Sequence, residues 1–360
     1  MEIYLVGGAV RDELLGRAIK EKDWVVVGAT PEQMIKLGYR QVGKDFPVFL
    51  HPKTNEEYAL ARTERKVGRG YTGFEFDTSS EVTLEEDLIR RDLTINAIAK
   101  KDDKYFDPFH GREDLQNKLL RHVSKAFIED PVRILRVARF AARFAELNFK
   151  VAKETNELMK QMVRSGEVDA LVAERVWKEL ERALCEKNPE QFFQVLADCD
   201  ALLPLFPAIK LSGPGMQALQ RAAQLTEDPH IRFAALLHDL TVRDIEKITK
   251  RYCVPGDYRD LALLAAKHVE QYKNIHQQTP VVKFFRELDA FRREQRAQKF
   301  LLACRAITQN ESAAETFNTY LAAAKSVDSK KIAAQFKGKE IAEQLDLARE
   351  QEIEKIRQRR

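Results

Sequence analysis

Cysteine is scarce in these 360 residues, with four, at positions 185, 199, 253 and 304. Their spacing fits neither a zinc site nor a disulfide framework. So few unpatterned cysteines suit a reducing compartment, and a cytoplasmic location is expected. Long apolar runs are missing as well. None approaches the roughly 18–20 residues that a membrane helix needs, so no membrane span is expected. The opening stretch MEIYLVGGAVRDELL has no basic segment and no small-residue cleavage site, so it does not read as a signal peptide. A large excess of one charge is missing too, the formal net charge being +4. Any nucleic-acid surface must therefore come from local clusters of Lys and Arg. No repeat of solenoid period is present.

What remains is a charge-rich globular composition, 44% hydrophobic and 32% charged, long enough for two or three domains. The first ~125 residues alternate strand and helix signals. EIYLVGG is an apolar run ending in glycines, VRDELLG a short helix stopped by Gly16, and DWVVVG a second buried strand. ATPEQMIKLGY predicts a helix with Thr30 as N-cap, Pro31 at the first turn, Gln33 closing a capping box and Gly38 as stop. FPVFLHP and EEYALA predict strands around a KTN turn, and residues 62–82, rich in Gly, Arg, Thr and Ser, predict a long loop. Thr83 and Glu86 form a second capping box, opening a helix through Arg91. TINAIAK and KYFDPF predict strands. From about residue 112 the pattern turns helical, with Leu115, Leu119 and Val123 four apart. The segments KETNELMKQMV, AERVWKELERAL and PEQFFQVLADC predict amphipathic helices, and further helices run to a charged tail, QEIEKIRQRR. The expected fold class is α+β, a mixed-sheet head over 1–125, a helical neck over 126–200, and a helical body and tail over 201–360.

Three stretches carry chemistry. In YLVGGAVRD the glycines let a ligand approach the backbone, and the helix start offers free N–H groups to phosphate oxygens, with Arg11 one turn on. The letters match neither a Walker loop nor GxGxxG, and a tight turn that merely needs glycine reads the same way. In KEKDWVVVG, Glu21 and Asp23 are two apart at a strand start and point to one side. Paired hard oxygens beside a phosphate site suit Mg²⁺, and Glu57 on EEYALA is a candidate third acid for a two-metal site. A surface acid pair in a Lys-rich turn is the plain alternative. In RRDLTINAIA, Arg91 is placed to reach phosphate or ribose and Asp92 to orient it; a local ion pair would look alike.

The segment EDPVRILRVARFAARF adds a helix with arginines at 133, 136, 139 and 143. The first three advance by three residues, which turns the side chain back by about 60° per step on a helix of 3.6 residues per turn. They sink between Val132, Leu135, Phe140 and Phe144. A buried guanidinium needs acceptors. A nucleotide would provide them, with Asp130 accepting from the exocyclic amine that cytosine and adenine both carry and Arg133 donating to ring acceptors. A salt-bridged helix with snorkelling arginines is the other reading.

In order along the chain, YLVGGAVRD, EKDWVVVG, ARTERK, RRDLTINAIA, DPFHG, RHVSKAF, EDPVRILRVARF and ERVWKE resemble class II tRNA nucleotidyltransferases, the CCA-adding enzymes of the bacterial branch similar to poly(A) polymerases. The resemblance covers about residues 1–200. It implies a nucleotidyltransferase head, a helical neck, body and tail, and template-independent addition of C, C and A to tRNA 3′ ends from CTP and ATP with Mg²⁺. It further implies that Gly8 and Arg11 bind triphosphate, Glu21 and Asp23 bind metal, and Arg91 binds nucleotide. Asp130 and Arg133 would pair with the incoming base as a protein template, continued by Arg136 and Arg139. The partners it implies are the tRNA 3′ end and acceptor stem, held through phosphates and A-form shape.

Two departures stand out. The usual D-x-D metal motif is Glu21-Lys22-Asp23 here, one methylene longer at its first acid. Relatives often carry an HD-type phosphohydrolase domain; here LLHDL keeps His238 and Asp239, Gln217 stands where a histidine is expected, and His268 is isolated. His238 and Asp239 read as relics, and no metal-dependent phosphatase activity is expected. The loop RTERKVGRGYTGFEFD favours an enzyme able to add A, since it is shortened in CC-only relatives. An A-only enzyme working with a CC-adding partner would keep it. A poly(A) polymerase and a silent RNA-binding protein are the further alternatives.

Overall fold

A computed structural model describes residues 1–42, 48–66, 74–77, 79–277 and 280–359, with backbone alone for 64–66 and 74–77. Two compact units result, Met1–Ala183 with Gln191–Leu205, and Leu184–Glu190 with Phe206–Arg360.

The first unit is built on a seven-stranded sheet. Its strands are β1 (Glu2–Val6), β2 (Asp23–Val27), β3 (Arg40–Val42), β4 (Val48–Leu50) and β5 (Glu57–Leu60). A separate two-stranded ribbon follows, β6 (Thr63–Lys66) with β7 (Phe74–Asp77), and the main sheet closes with β8 (Ala99–Lys101) and β9 (Lys104–Phe106). The order is β3-β4-β5-β2-β1-β8-β9. Among the described residues of this sheet only β2 and β5 run parallel, Asp23 lying beside Glu57; β1 runs antiparallel to β2, Val6 beside Asp23. Alternation divides the strands between two cores. Tyr4, Val6, Val25 and Ala99 face Leu88 and Val82 on one side, and Val26, Phe49, Tyr58 and Leu60 pack with Met34 on the other.

The helices begin as the caps predict. α1 (Gly8–Leu14) follows the glycine turn. α2 (Pro31–Lys36) and α3 (Leu84–Ile89) both start on complete capping boxes, at Thr30/Gln33 and Thr83/Glu86. α4 (Gly111–Asn117) lies so close to the turn before β8 that a Cβ on Gly111 would stand 2.2 Å from the Thr94 carbonyl oxygen. α5 (Val132–Phe144) is preceded by a 3₁₀ turn over Lys125–Glu129, so helical geometry starts three residues after Glu129. α6 (Lys153–Arg164), α7 (Ala173–Leu184) and α8 (Glu190–Asp198) cover the three amphipathic segments.

Three expectations need correction. Residues 62–82 are not one loop, because TERK and FEFD pair antiparallel as β6 and β7; residues 67–73 and 78 between and after them lie outside the described residues, as do Phe46 and Pro47 of FPVFLHP. TINAIAK is not a continuous strand. Thr94–Asn96 form a 3₁₀ turn, where Thr94 Oγ1 donates to Asp114 at 2.6 Å and Asn96 Nδ2 to Asp92 at 2.9 Å, side-chain bonds that compete with a ladder. The helix expected from about 112 stops at Asn117, where Lys118 takes φ 56°, and Leu119–Leu120 pair instead with Lys150–Val151.

The second unit is helical. Pro214–Leu225, Pro229–Leu237 and Glu294–Thr308 pack through Ala218, Ala222, Ala235 and Ala306, small residues that let backbones approach. Phe284, Phe285, Phe300, Phe317 and Tyr272 fill a neighbouring aromatic core. Arg232, 1% exposed, donates to the carbonyls of Thr226, Leu184, Glu186 and Ala223 at 2.7, 2.6, 2.6 and 3.0 Å. His238 turns Nδ1 to its own helix, 2.8 Å from the Ala235 carbonyl, and His268 lies beside Gln271. Asp239 is exposed, and Gln217 faces outward on its helix. No helix among the described residues is long and apolar enough to cross a membrane.

Candidate active site

The site grows from the end of β1. Gly7 has φ 68°, a left-handed value that glycine adopts without strain, and its N–H donates to the Ile98 carbonyl at 3.2 Å. A Cβ on Gly7 would meet a terminal nitrogen of Arg91 at 3.0 Å. The turn is therefore open only because nothing stands there but backbone, and Arg91 arrives at it from the end of α3. Below the turn lies Arg11, 3% exposed. Its Nε donates to Asp12 at 2.9 Å and one terminal nitrogen to Asn96 Oδ1 at 2.5 Å, with the other about 3.5 Å from where a Gly8 Cβ would be. Phe140 and Phe144 stack around its guanidinium, at 5.3 and 5.1 Å from ring centre to Cζ. Arg11 thus brings its positive charge to Gly8 from the interior.

Asp23 begins β2, beside Val6 on one side and Glu57 on the other. Directly paired residues share a face, so Asp23 and Glu57 start on the side that carries Val25 and α3. Asp23 keeps surface open to solvent, yet the packing around it raises its carboxyl above the ordinary value; Arg91 pulls the other way and Glu21 adds to the rise. Glu21, Asp23 and Glu57 do not form a closed cage. Among the described residues no group of three or more His, Cys, Asp or Glu is placed to hold a metal ion.

Asp92 is buried and accepts three bonds, from Arg136 Nε at 2.7 Å, Leu93 N–H at 2.8 Å and Asn96 Nδ2 at 2.9 Å. Burial alone would raise its carboxyl, but these donors outweigh burial and hold it well below the usual carboxylate range. Asp92 is thereby bound to the arginine helix. Arg136 carries the reciprocal shift, raised by Asp92 and Glu179.

On α5 every arginine of the series has an acceptor within the protein. Arg133 donates to the Ala126 carbonyl at 2.9 Å and the Arg90 carbonyl at 2.6 Å. Arg139 Nε reaches Glu179 at 2.6 Å and Arg143 reaches Asp12 at 2.9 Å. Asp130 takes both terminal nitrogens of Arg175, at 3.1 and 2.7 Å, and also accepts from Val132 N–H at 3.1 Å. The ion-paired reading of the helix is the one these contacts bear out. The ion-paired network exists, and it fixes Asp130 and Arg133 side by side at the start of α5.

Reasoning from sequence missed Arg175, Glu179, Asn96 and Asp87. Arg175 and Glu179 stand four apart in ERVWKE, on one helix face, which was a usable signal. Asp87 is fully buried and bonds Arg90 at 2.5 Å and Arg91 at 3.0 Å, three and four residues on. It lowers to an ionised carboxylate because the two arginines outweigh its burial.

Comparison with known proteins accords with this geometry. Residues 3–121 match the Poly A polymerase head domain family, and residues 148–211 match the family described as the probable RNA and SrmB-binding site of polymerase A. A CCA-adding enzyme of Coxiella burnetii is 52% identical over 354 residues, covering 97% of this chain and 94% of that one. A multifunctional CCA protein of Thioalkalivibrio sulfidiphilus is 54% identical over 344 residues, 85% of this chain and 84% of that one. The solved apo form II of a CCA-adding enzyme has the same fold, with a TM-score of 0.74 at 23% identity over 98% of this chain and 90% of that one. With more than half of its residues shared with curated relatives over nearly their whole length, this chain belongs to the CCA-adding enzyme family.

Proposed function

We propose that the protein adds C, C and A to tRNA 3′ ends without a nucleic-acid template, using CTP and ATP. One observation carries the reading. Arg91 stands against the Gly7–Gly8 turn and beside Asp23, and the carbonyl of its neighbour Arg90 accepts from Arg133. Acid, phosphate turn and base-reading helix thus meet around two consecutive arginines.

In this reading Gly8 gives the triphosphate access to backbone, with Arg11 beneath and Arg91 beside it. Asp23 and Glu21 fit a divalent cation, because Asp23 already feels Glu21 as a like charge that a cation would relieve. Two carboxylates with substrate phosphates are what Mg²⁺ commonly takes. Such an ion would activate the terminal tRNA hydroxyl and steady the leaving pyrophosphate; Glu57, next in register, is the third acid. Asp130 and Arg133 read the base edge, continued by Arg136 and Arg139; the Arg136–Asp92 pair ties this helix to the head, and Arg139 ties it to α7 through Glu179. The head is assigned to 1–125, the selecting neck to 126–200 and the body and tail to 201–360. Work on tRNA agrees with a cytoplasmic location.

The test uses three tRNA transcripts, one lacking all three terminal nucleotides, one ending in CC and one complete, each with labelled CTP and ATP. Growth of the first by three nucleotides is expected, lost in Asp23→Ala while tRNA is still bound. Growth of the CC-ending transcript alone would mark an A-only enzyme, and binding without growth a silent RNA-binding protein.

A further inference from the structure

We infer that Asp87 is a positioning residue that sets the triphosphate arginine and the base-reading arginine from one buried carboxylate. The inference rests on the nucleotide site proposed above and assigns it a residue that touches no substrate.

Asp87 sits in the short helix α3 with no surface exposed. A buried carboxylate is costly unless its oxygens are filled by donors, and here they are. Oδ1 accepts from Arg90 at 2.5 Å and from the Arg62 N–H at 3.4 Å, and Oδ2 accepts from Arg91 at 3.0 Å. Arg90 also donates Nε to the Arg62 carbonyl at 3.1 Å. The Arg90 guanidinium is therefore held between Asp87 and the Arg62 carbonyl. The carbonyl of this residue is the acceptor that Arg133 uses at 2.6 Å. The other oxygen of Asp87 fixes the guanidinium whose terminal nitrogen faces Gly7.

The two arms have different duties. Arg91 faces the glycine turn and Asp23, where phosphate charge gathers. Arg133 faces the base. A single carboxylate behind both fixes the distance from triphosphate to base edge, and that distance decides whether a cytosine or adenine ring, correctly held by its phosphates, meets Asp130 and Arg133. Nothing in the network needs Asp87 to change protonation, since Arg90 and Arg91 keep it ionised.

The experiment compares Asp87→Asn with the parent on the transcript lacking the terminal nucleotides. It measures KM for CTP, KM for tRNA, and the ratio of CTP to UTP and GTP incorporated. Asparagine keeps the shape but presents one amide nitrogen to an arginine, so one arm loses its acceptor and the shared clamp loosens. The expected result is a rise of about tenfold in KM for CTP together with a fall of about tenfold in base discrimination, with KM for tRNA unchanged. Should Asp87→Asn fail to fold, Asp87→Glu gives the same readouts, its extra methylene pushing both arginines outward. A variant that loses thermal stability while KM for CTP and discrimination stay at parental values overturns the inference, and so does a change in one of the two without the other. A parent enzyme that adds no nucleotide sinks the proposed function instead, which separates the two failures.

Discussion

Both oxygens of Asp130 rest on one guanidinium, that of Arg175, at 3.1 and 2.7 Å. The pair joins the start of α5 to the start of α7 and aims the carboxylate assigned to reading the base. Lysine at 175 would keep the charge and lose the planar fork. Arg175→Lys is therefore expected to misincorporate UTP and GTP about tenfold more often, with a smaller effect on turnover of CTP. Single-nucleotide extension with each of the four triphosphates checks this, and parental selectivity would show that Asp130 needs no such support.

Arg232 supports the second unit in a different way. Its partners are four carbonyl groups rather than a carboxylate. Arg232→Met fills similar volume but leaves those carbonyls without a donor. An unmet buried acceptor costs about 1–3 kcal/mol, so a loss of about 3 kcal/mol or more is expected in urea unfolding. A variant within about 0.5 kcal/mol of the parent would mean that water replaces the guanidinium.

Acid should weaken the fold well before carboxylates protonate. Burial lowers His238, and burial with the nearby Arg121 lowers His122, both from an ordinary value of 6.5. The His122 backbone N–H donates to Thr155 Oγ1 at 3.0 Å, and the ring Nδ1 lies 2.8 Å from the same hydroxyl. Between the depressed folded values and 6.5 the unfolded chain binds more protons, so stability falls as pH falls through that window. Asp87 and Asp92, both depressed, act lower down: their stabilisation is complete above the ordinary carboxylate range and lost only as pH falls through their folded values. The midpoint of thermal unfolding should drop between about pH 7.5 and 5.5, and less steeply in His122→Gln. A flat profile would contradict the neutral histidines.

Much of the head was legible because its signals are local. Thr30 with Gln33 and Thr83 with Glu86 announce their helices within four residues, and the runs around Val25 and Tyr58 announce strands by alternation. Thr94 and Asn96 misled because their side chains bond Asp114 and Asp92, partners chosen by the fold. The hairpin of β6 and β7 hid in a polar composition whose strand character depends on pairing. At the site, the residue types that could meet phosphate, metal and base were readable, while their supports were not. Arg175 lies 45 residues from Asp130 and Arg133 lies 43 from the Arg90 carbonyl, separations over which a single sequence says nothing about contact.

The central claim is that side chains at the head of α5 take the place of a complementary strand, and Arg133→Ala tests it most directly. Arg133 is nearly buried, so its loss leaves the Arg90 and Ala126 carbonyls without their donor. With the transcript lacking its terminal nucleotides and all four triphosphates in competition, the account predicts that the variant still binds tRNA but no longer prefers CTP and then ATP. Retention of the parental order of C, C and A by Arg133→Ala would contradict it.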